Sequence, residues 1–305
     1  MPQDDQGSTW QVCSPATAGN FTAVGYFFGR TLHQELKVPI GLINASWGGT
    51  RIEPWTPPVG FASTPAVKHI ADELSTKDPS SSIYQSKLDN HLNAVESWVA
   101  AARANLTKGV PPGPAPAFPG ELTPYKSHQS PAMLYNGMLN PVVPYAIRGS
   151  IWYQGEANHQ EGMLYYEKTK ALVNGWRTAW NLPELPYYFV QIAPFKYGNE
   201  EPTVLAEFWE AQTKALDIPH TGQVVIHDIG NINNIHPKNK QEVGRRLALI
   251  ALAKDYGRDD VVYSGPVFKS LDVEAGQLRV HFNHVGSGLV ARGGKPLDHF
   301  EIIGK

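Results

Sequence analysis

The chain has 305 residues, 42% hydrophobic and 18% charged, with a formal net charge of −2. That is the make-up of an ordinary globular protein, long enough for one large domain or two medium ones. So small a charge gives no basic footprint, so no nucleic-acid partner is expected. No apolar run approaches the roughly 20 residues a membrane span needs. Cys13 is the single cysteine, which rules out an internal disulfide and leaves the compartment unread. Eight Trp and thirteen Tyr suit a sugar-facing cleft or a large aromatic core. The start, Met1 to Asp5, reads neither as a signal peptide nor as an opening strand. The end, Phe300 to Lys305, stops inside a strand-like run, so both ends are expected to be cut from something longer.

Thr22 to Leu36 reads as a helix, with Val24, Phe27, Phe28, Leu32 and Leu36 at helical spacing. Val38 to Ile43 is a short apolar run bounded by turn residues, the pattern of a buried parallel strand. The loop after it, Asn44 to Arg51, carries Gly48-Gly49, a pair that lets a ligand approach the backbone. Residues 57–131 read as a helical and Pro-rich insertion. Helices are expected over Val67–Leu74 and Ile83–Leu106, and the Pro-rich connector spans Val110 to Pro116.

From Tyr145 onward strands and helices alternate. Strands are expected at Tyr145–Tyr153, Leu185–Ala193 and Gln223–Asp228, and helices at Leu164–Trp180, Thr203–Leu216 and Lys240–Lys254. Such alternation implies an α/β fold with a parallel sheet between helices. After Asp259 the texture changes to short β runs: Val261–Tyr263, Gln277–Phe282, Gly288–Val290 and Phe300–Ile303. The division expected is 1–258 for the α/β domain and 259–305 for a truncated β-rich appendage.

Three loops follow expected parallel strands, where open α/β sheets gather their chemistry. They hold Ser46 with Gly48-Gly49, then Gln154-Gly155-Glu156 with Asn158, then Asn234 with His236. Pro237 biases His236 toward extended geometry and keeps its imidazole out of the helix that follows. The set offers a base, an acid and preset donors, which are the parts of an acyl-transfer site. No Gly-x-Ser-x-Gly elbow occurs in the chain. His227-Asp228 beside His236 fits no zinc spacing, so no metal is expected. Asp89 and His91 read as solvated, and Asp298 and His299 as structural.

Four segments resemble the sialate O-acetylesterase family, carbohydrate esterases of the SGNH-hydrolase type. They are Val38–Thr50, Leu134–Pro141, Ile151–Asn158 and Ile235–Leu247. The resemblance implies a three-layer α/β/α domain with attached β modules. It also implies removal of acetyl groups from sugar hydroxyls by a Ser nucleophile, a His base and an Asp orienter, with no cofactor. His236 matches the base. Gly48, Gly49, Gln154, Gly155, Glu156 and Asn158 match segments implied to bind substrate or the oxyanion. The family's Asp two residues before the His is Asn234 here, with Asp228 and Glu156 as alternative acids. The Gly-Gln-Ser-Asn-type nucleophile segment is absent and is expected upstream of residue 1, with Ser46 the remaining stand-in. The expected partner is an acetylated sialic acid, or a plant or bacterial glycan. The rival expectation is a truncated, non-catalytic chain that at most binds sugar. Export is common in the family.

Overall fold

The computed structural model describes residues 2–4, 7–291, 293–297 and 300–302. Two compact units divide after Leu247, inside a helix.

The first unit is organised on three parallel strands: β1 (Ser150–Trp152), β2 (Tyr187–Val190) and β3 (Thr221–Val224), in the order β1-β2-β3. Ile151 pairs with Tyr188, and Tyr188 with Gly222. Parallel neighbours need long crossovers. These are α6 (Leu164–Trp180) and α7 (Pro202–Lys214). This is the α/β, parallel-sheet arrangement expected of the SGNH type. All four residues of β2 are buried, as a central strand covered on both faces requires.

The main core is aromatic. Trp55, Tyr165, Trp176, Trp180, Tyr187, Phe189 and Phe208 belong to one cluster of buried residues. Trp152 meets Trp55, Trp176 and Tyr187 with ring centroids between 5.7 and 6.5 Å apart. Such edge-on and tilted contacts match positive ring edges to negative faces.

Helix α1 (Pro15–Ala18) is a single turn, and α2 (Ala23–Leu36) begins where Thr22 caps the Gly25 amide. Val38–Ile43, expected as a strand, forms no ladder among the described residues. An apolar run becomes a strand only where a neighbour supplies backbone partners. Here Leu42 instead packs against Gly29 of α2, while Val38 and Ile43 stay exposed.

The segment read as an insertion does two different things. Its first part, with α3 (Pro58–Ala62) and α4 (Lys68–Ser75), joins the core. Phe61, Val67, Ile70 and Ala71 bury against Ala171 of α6. Its long helix α5 (Ser82–Leu106) buries no residue, although Leu88, Leu92, Val95 and Val99 have helical spacing. The Pro-rich stretch lies along α5, with Trp98 donating to Gly113 O at 2.8 Å and Phe118 edge-on to His91.

Helix α8 (Lys240–Asp255) follows the His236 loop, and its Gly244 lies against the α2 backbone at Val24 and Phe28. The second unit holds the end of α8 and one hairpin, β4 (Val267–Glu274) and β5 (Gln277–Asn283). The sequence reading found β5 and missed β4. It also placed strands at Val261–Tyr263, Gly288–Val290 and Phe300–Ile302 that are not strands. These runs have no ladder partner among the described residues. Ile303, Asp298 and His299 lie outside the described residues.

Gly60 and Gly175 let α3 and α6 touch backbone to backbone. A methyl group at Gly60 would collide with the Ala171 carbonyl oxygen. Gly60→Ala is therefore expected to lower stability by about 1–3 kcal/mol, the usual cost of overpacking. A urea midpoint unchanged from the parent chain would refute this account of the contact.

Candidate functional site

Each of the three strands runs into a polar loop at its carboxyl end, and the loops touch. Beyond β2, the Lys196 amide donates to Ile232 O at 2.9 Å, and Pro194 packs on Gly230. Both partners belong to the loop beyond β3 that carries His236. Strand β3 ends at Val224, earlier than expected, and His227–Ile229 forms a single 3-10 turn. The Asn-rich run then folds on its own side chains, a habit of asparagine in turns. Asn231 Oδ1 accepts from the Asn233 amide at 2.9 Å, and Asn234 Oδ1 accepts from the His236 amide at 2.9 Å. The Asn234 side chain thus holds the backbone of His236. The expected role of orienting the imidazole has no counterpart in this contact. His236 is exposed and Pro237 is buried. A cavity of about 330 Å³ opens here, lined by Ile229, Asn231, Asn234, His236, Pro237, Lys238 and Asn239.

Two acids stand near this loop. Both oxygens of Asp228 bind Arg246 at 2.7 Å, a bidentate pair that commits the carboxylate. Glu156 is different. Burial pushes its carboxyl above the usual carboxylate range, while its own backbone, Lys240 and His236 pull it back down. Glu156 therefore lies within the electrostatic reach of the Lys240 and His236 side chains. The Lys240 ammonium sits 4.7 Å from the Tyr153 ring centre. Burial, then the Glu156 charge, raises the pKa of the Tyr153 and Tyr197 phenols. Both phenol oxygens are buried without a hydrogen-bond partner among the described residues.

The Gly48-Gly49 loop is fixed from below. Thr50 Oγ1 donates to Trp47 O at 2.8 Å and accepts from Trp55 Nε1 at 3.0 Å. Gly49 has φ +72°, a conformation that favours glycine. A Cβ added at Gly48 or Gly49 would meet nothing within 4 Å. Gly48 has no positive φ, so neither backbone nor neighbours require glycine there.

Gln154 and Asn158 tie this loop to the one after β1. Gln154 Nε2 donates to Thr50 O and to Asn158 Oδ1, both at 2.9 Å, and Gln154 Oε1 accepts from Tyr165 at 2.9 Å. Asn158 Oδ1 also accepts from the Ile52 amide at 3.0 Å. Its Nδ2 donates to Glu53 Oε2 and Glu161 Oε2. Both side chains are buried and their polar atoms are spent inside the protein. Gly155 is held by packing: a Cβ there would stand 2.8 Å from Ile192. These three residues position the loops, while the Glu156 carboxyl is held by the backbone of its own turn, at Glu156 and Gly155.

Beneath them lies a cluster that the sequence reading missed. Lys168 Nζ binds Glu53 Oε1 at 2.5 Å and Glu161 Oε1 at 2.6 Å. Arg51 pairs with the same two carboxylates and donates to Ala157 O at 3.1 Å. A signal was available. Lys168 falls among Tyr165, Thr169, Leu172 and Trp176 on the apolar stripe of α6, and a lysine buried there demands a partner. Burial raises the Glu53 carboxyl, but Lys168 and Asn158 outweigh it and hold the pKa below 4.5.

Removing Lys168 would leave two carboxylates sharing the half-exposed Arg51 as their cation. Lys168→Met is expected to cost about 3–5 kcal/mol. The parent's stability should carry a matching pH signature. A folded-state pKa below the unfolded one stabilises above the unfolded value, near 4.5, and that share is lost as pH falls through the lowered folded value. Denaturant titrations of both chains from neutral to acid pH check this. A variant as stable as the parent, with the same acid limb, would contradict it.

Comparison with known proteins agrees with the fold. Residues 121–253 match the family model of carbohydrate esterase, sialic acid-specific acetylesterase. The sialate O-acetylesterase of Rattus norvegicus is 30% identical over 278 residues, covering 84% of this chain and 47% of that protein. The sialate O-acetylesterase of Homo sapiens is 26% identical over 275 residues, covering 83% and 43%. The crystal structure of a novel carbohydrate acetylesterase from Xanthomonas citri aligns with a TM-score of 0.68 at 33% identity, over 92% of this chain and 52% of that one. The chain thus spans about half the length of the curated relatives it matches. In its matched motifs, its parallel sheet and these likenesses the chain is similar to the sialate O-acetylesterases over about half of their length.

Proposed function

We propose that this site serves a carbohydrate O-acetylesterase, with His236 as the general base. The observation that carries the reading is the meeting of the loops. His236 lies in the field of Glu156, whose loop is tied through Gln154 and Thr50 to the open Gly48-Gly49 backbone. Acetyl ester hydrolysis needs a base to take the proton of an attacking hydroxyl, and amides aimed at the oxyanion that forms. His236 supplies the first and Gly48-Gly49 the second. Glu156 supplies the negative charge that steadies the imidazolium, since Asp228 is committed to Arg246 and Asn234 carries no charge. Asn234 acts through the backbone, holding the His236 amide. The substrate is an acetylated sugar of sialic acid or of a plant or bacterial glycan, and the products are acetate and the free hydroxyl.

A second reading has one observation in its favour. Among the described residues, the cavity beside His236 is lined by no hydroxyl or thiol side chain. On that reading the chain binds acetylated sugar without cleaving it.

Acetate release from O-acetylated sugars decides between them. His236→Ala is expected to lower kcat by about 10³-fold or more, and Glu156→Gln by roughly 10²- to 10⁴-fold, since members of such a unit fail together. The ionised Glu156 is the useful form. Its raised pKa should make activity fall, as pH drops, sooner than for an ordinary carboxylate. Sugar binding without acetate release would favour the second reading. Release that survives His236→Ala would remove His236 as the base.

Gly48 offers an independent check. Gly48→Ala is expected to fold as well as the parent, because its Cβ meets open space. It should still lose activity, up to about 100-fold, by pushing substrate off the backbone. Full activity in a folded Gly48→Ala protein would mean that no ligand comes close there.

A further inference from the structure

The end of the insertion reaches back to the Gly48-Gly49 loop. Gln129 brackets that loop: its Nε2 donates to Gly49 O at 3.1 Å, and its Oε1 accepts from the Arg51 amide at 3.4 Å. His128, one residue earlier, lies flat against Trp47, with ring centroids 4.7 Å apart and planes 23° apart. The indole is nevertheless 52% exposed. An imidazole covers one face of an indole, so that exposure belongs to the opposite face and the ring edge. A large flat apolar surface left open is available to a ligand that can cover it. This one stands directly before the two glycines whose backbone faces open space.

We infer that Trp47, backed by His128, is the stacking platform for the pyranose ring of the substrate. The inference rests on the acetylesterase reading and adds the residue that selects a sugar ester over a simple one. A pyranose presents a face of C–H bonds, polarised by the ring's oxygens, and keeps its hydroxyls at the rim. That face suits the negative face of an indole, while the rim stays in water or meets polar groups. Ligand sites commonly pair such aromatic walls with a few fixed polar donors, here the Gly48-Gly49 amides. A sugar stacked on Trp47 would hold a ring acetyl within one or two residues of those amides. His128 and Gln129 come from the insertion, so the insertion's end sets the position of the platform.

The test compares esters that share the acetyl group and differ in the alcohol. Methyl 3-O-acetyl-β-xylopyranoside and 4-O-acetyl-N-acetylneuraminic acid carry a pyranose, and ethyl acetate carries none. Trp47→Ala is expected to cut the ratio of sugar-ester to ethyl-acetate kcat/KM about tenfold, through KM, and Trp47→Phe should restore most of it. His128→Ala should give a smaller fall in the same ratio. An equal loss on all esters would show Trp47 to be structural, and an unchanged ratio would show that the sugar does not stack there. Both results overturn the inference. If the parent chain cleaves none of the esters, the acetylesterase reading fails and ligand-observed NMR with the same two sugar esters decides the platform separately. Magnetisation transfer to the pyranose ring protons that Trp47→Ala abolishes and Trp47→Phe keeps would sustain it. No binding, or binding indifferent to Trp47, would overturn it.

Discussion

The ammonium of Lys168 is the point on which this architecture depends. It is a charge on the apolar stripe of α6, and burying it alone would cost several kcal/mol. Glu53 and Glu161 meet it at 2.5 and 2.6 Å. Each carboxylate comes from a different loop, so neutralising one lysine fixes two loops against one helix. Arg51 and Asn158 take up the remaining carboxylate lone pairs. The chain around Gly48-Gly49 is bound to the sheet edge by this cluster, although Val38–Ile43 before it forms no ladder among the described residues. Polar bonding does for that segment what strand pairing does for β1 to β3.

A buried network is useful to a site only if it leaves some groups unspent. Gln154 and Asn158 have used their polar atoms on Thr50, Ile52, Tyr165 and the two carboxylates. They cannot turn to a ligand without breaking the frame. The exposed Gly48 and Gly49 and the exposed His236 ring are what the frame holds out. This is the usual division of labour at a site, in which the groups that hold position outnumber those that react.

The fold was legible where periodicity had a single meaning. Leu164–Trp180 carries a full apolar stripe and is a helix over the expected span. The strand starting near Tyr187 is wholly apolar and wholly buried. Val38–Ile43 has the same texture, but a strand is a property of two segments, and one sequence window cannot report whether a neighbour is present. The hairpin strand β4 was hidden for the opposite reason: Val267–Glu274 mixes Lys, Ser, Asp and Glu into its run, and little of it is buried. At the site, motif resemblance singled out the loops but could not assign work within them. Asn234 stands where an acid was expected, and its side chain serves the backbone. His128 and Gln129 lie in an irregular stretch with no periodic signal. They reach Trp47 and Gly49 only through the path of the insertion.

Two glutamates of this chain show how environment separates structure from chemistry. Glu53 and Glu156 each open a 3-10 turn, and both are pushed upward by burial. Glu53 has a lysine in direct contact, and its carboxyl ends below the ordinary value. Glu156 feels Lys240 only at longer range, since that ammonium lies over the Tyr153 ring, and its carboxyl stays raised. A carboxylate locked to a cation holds the fold at any pH above its titration. A carboxyl left raised, within the field of a histidine and within reach of two buried phenols that have no hydrogen-bond partner among the described residues, can answer to the charge of its neighbour. Pairs of like groups driven apart in this way mark the division between a scaffold and the chemistry it carries. On the acetylesterase reading proposed above, that division runs between the cluster around Lys168 and the loop that carries His236.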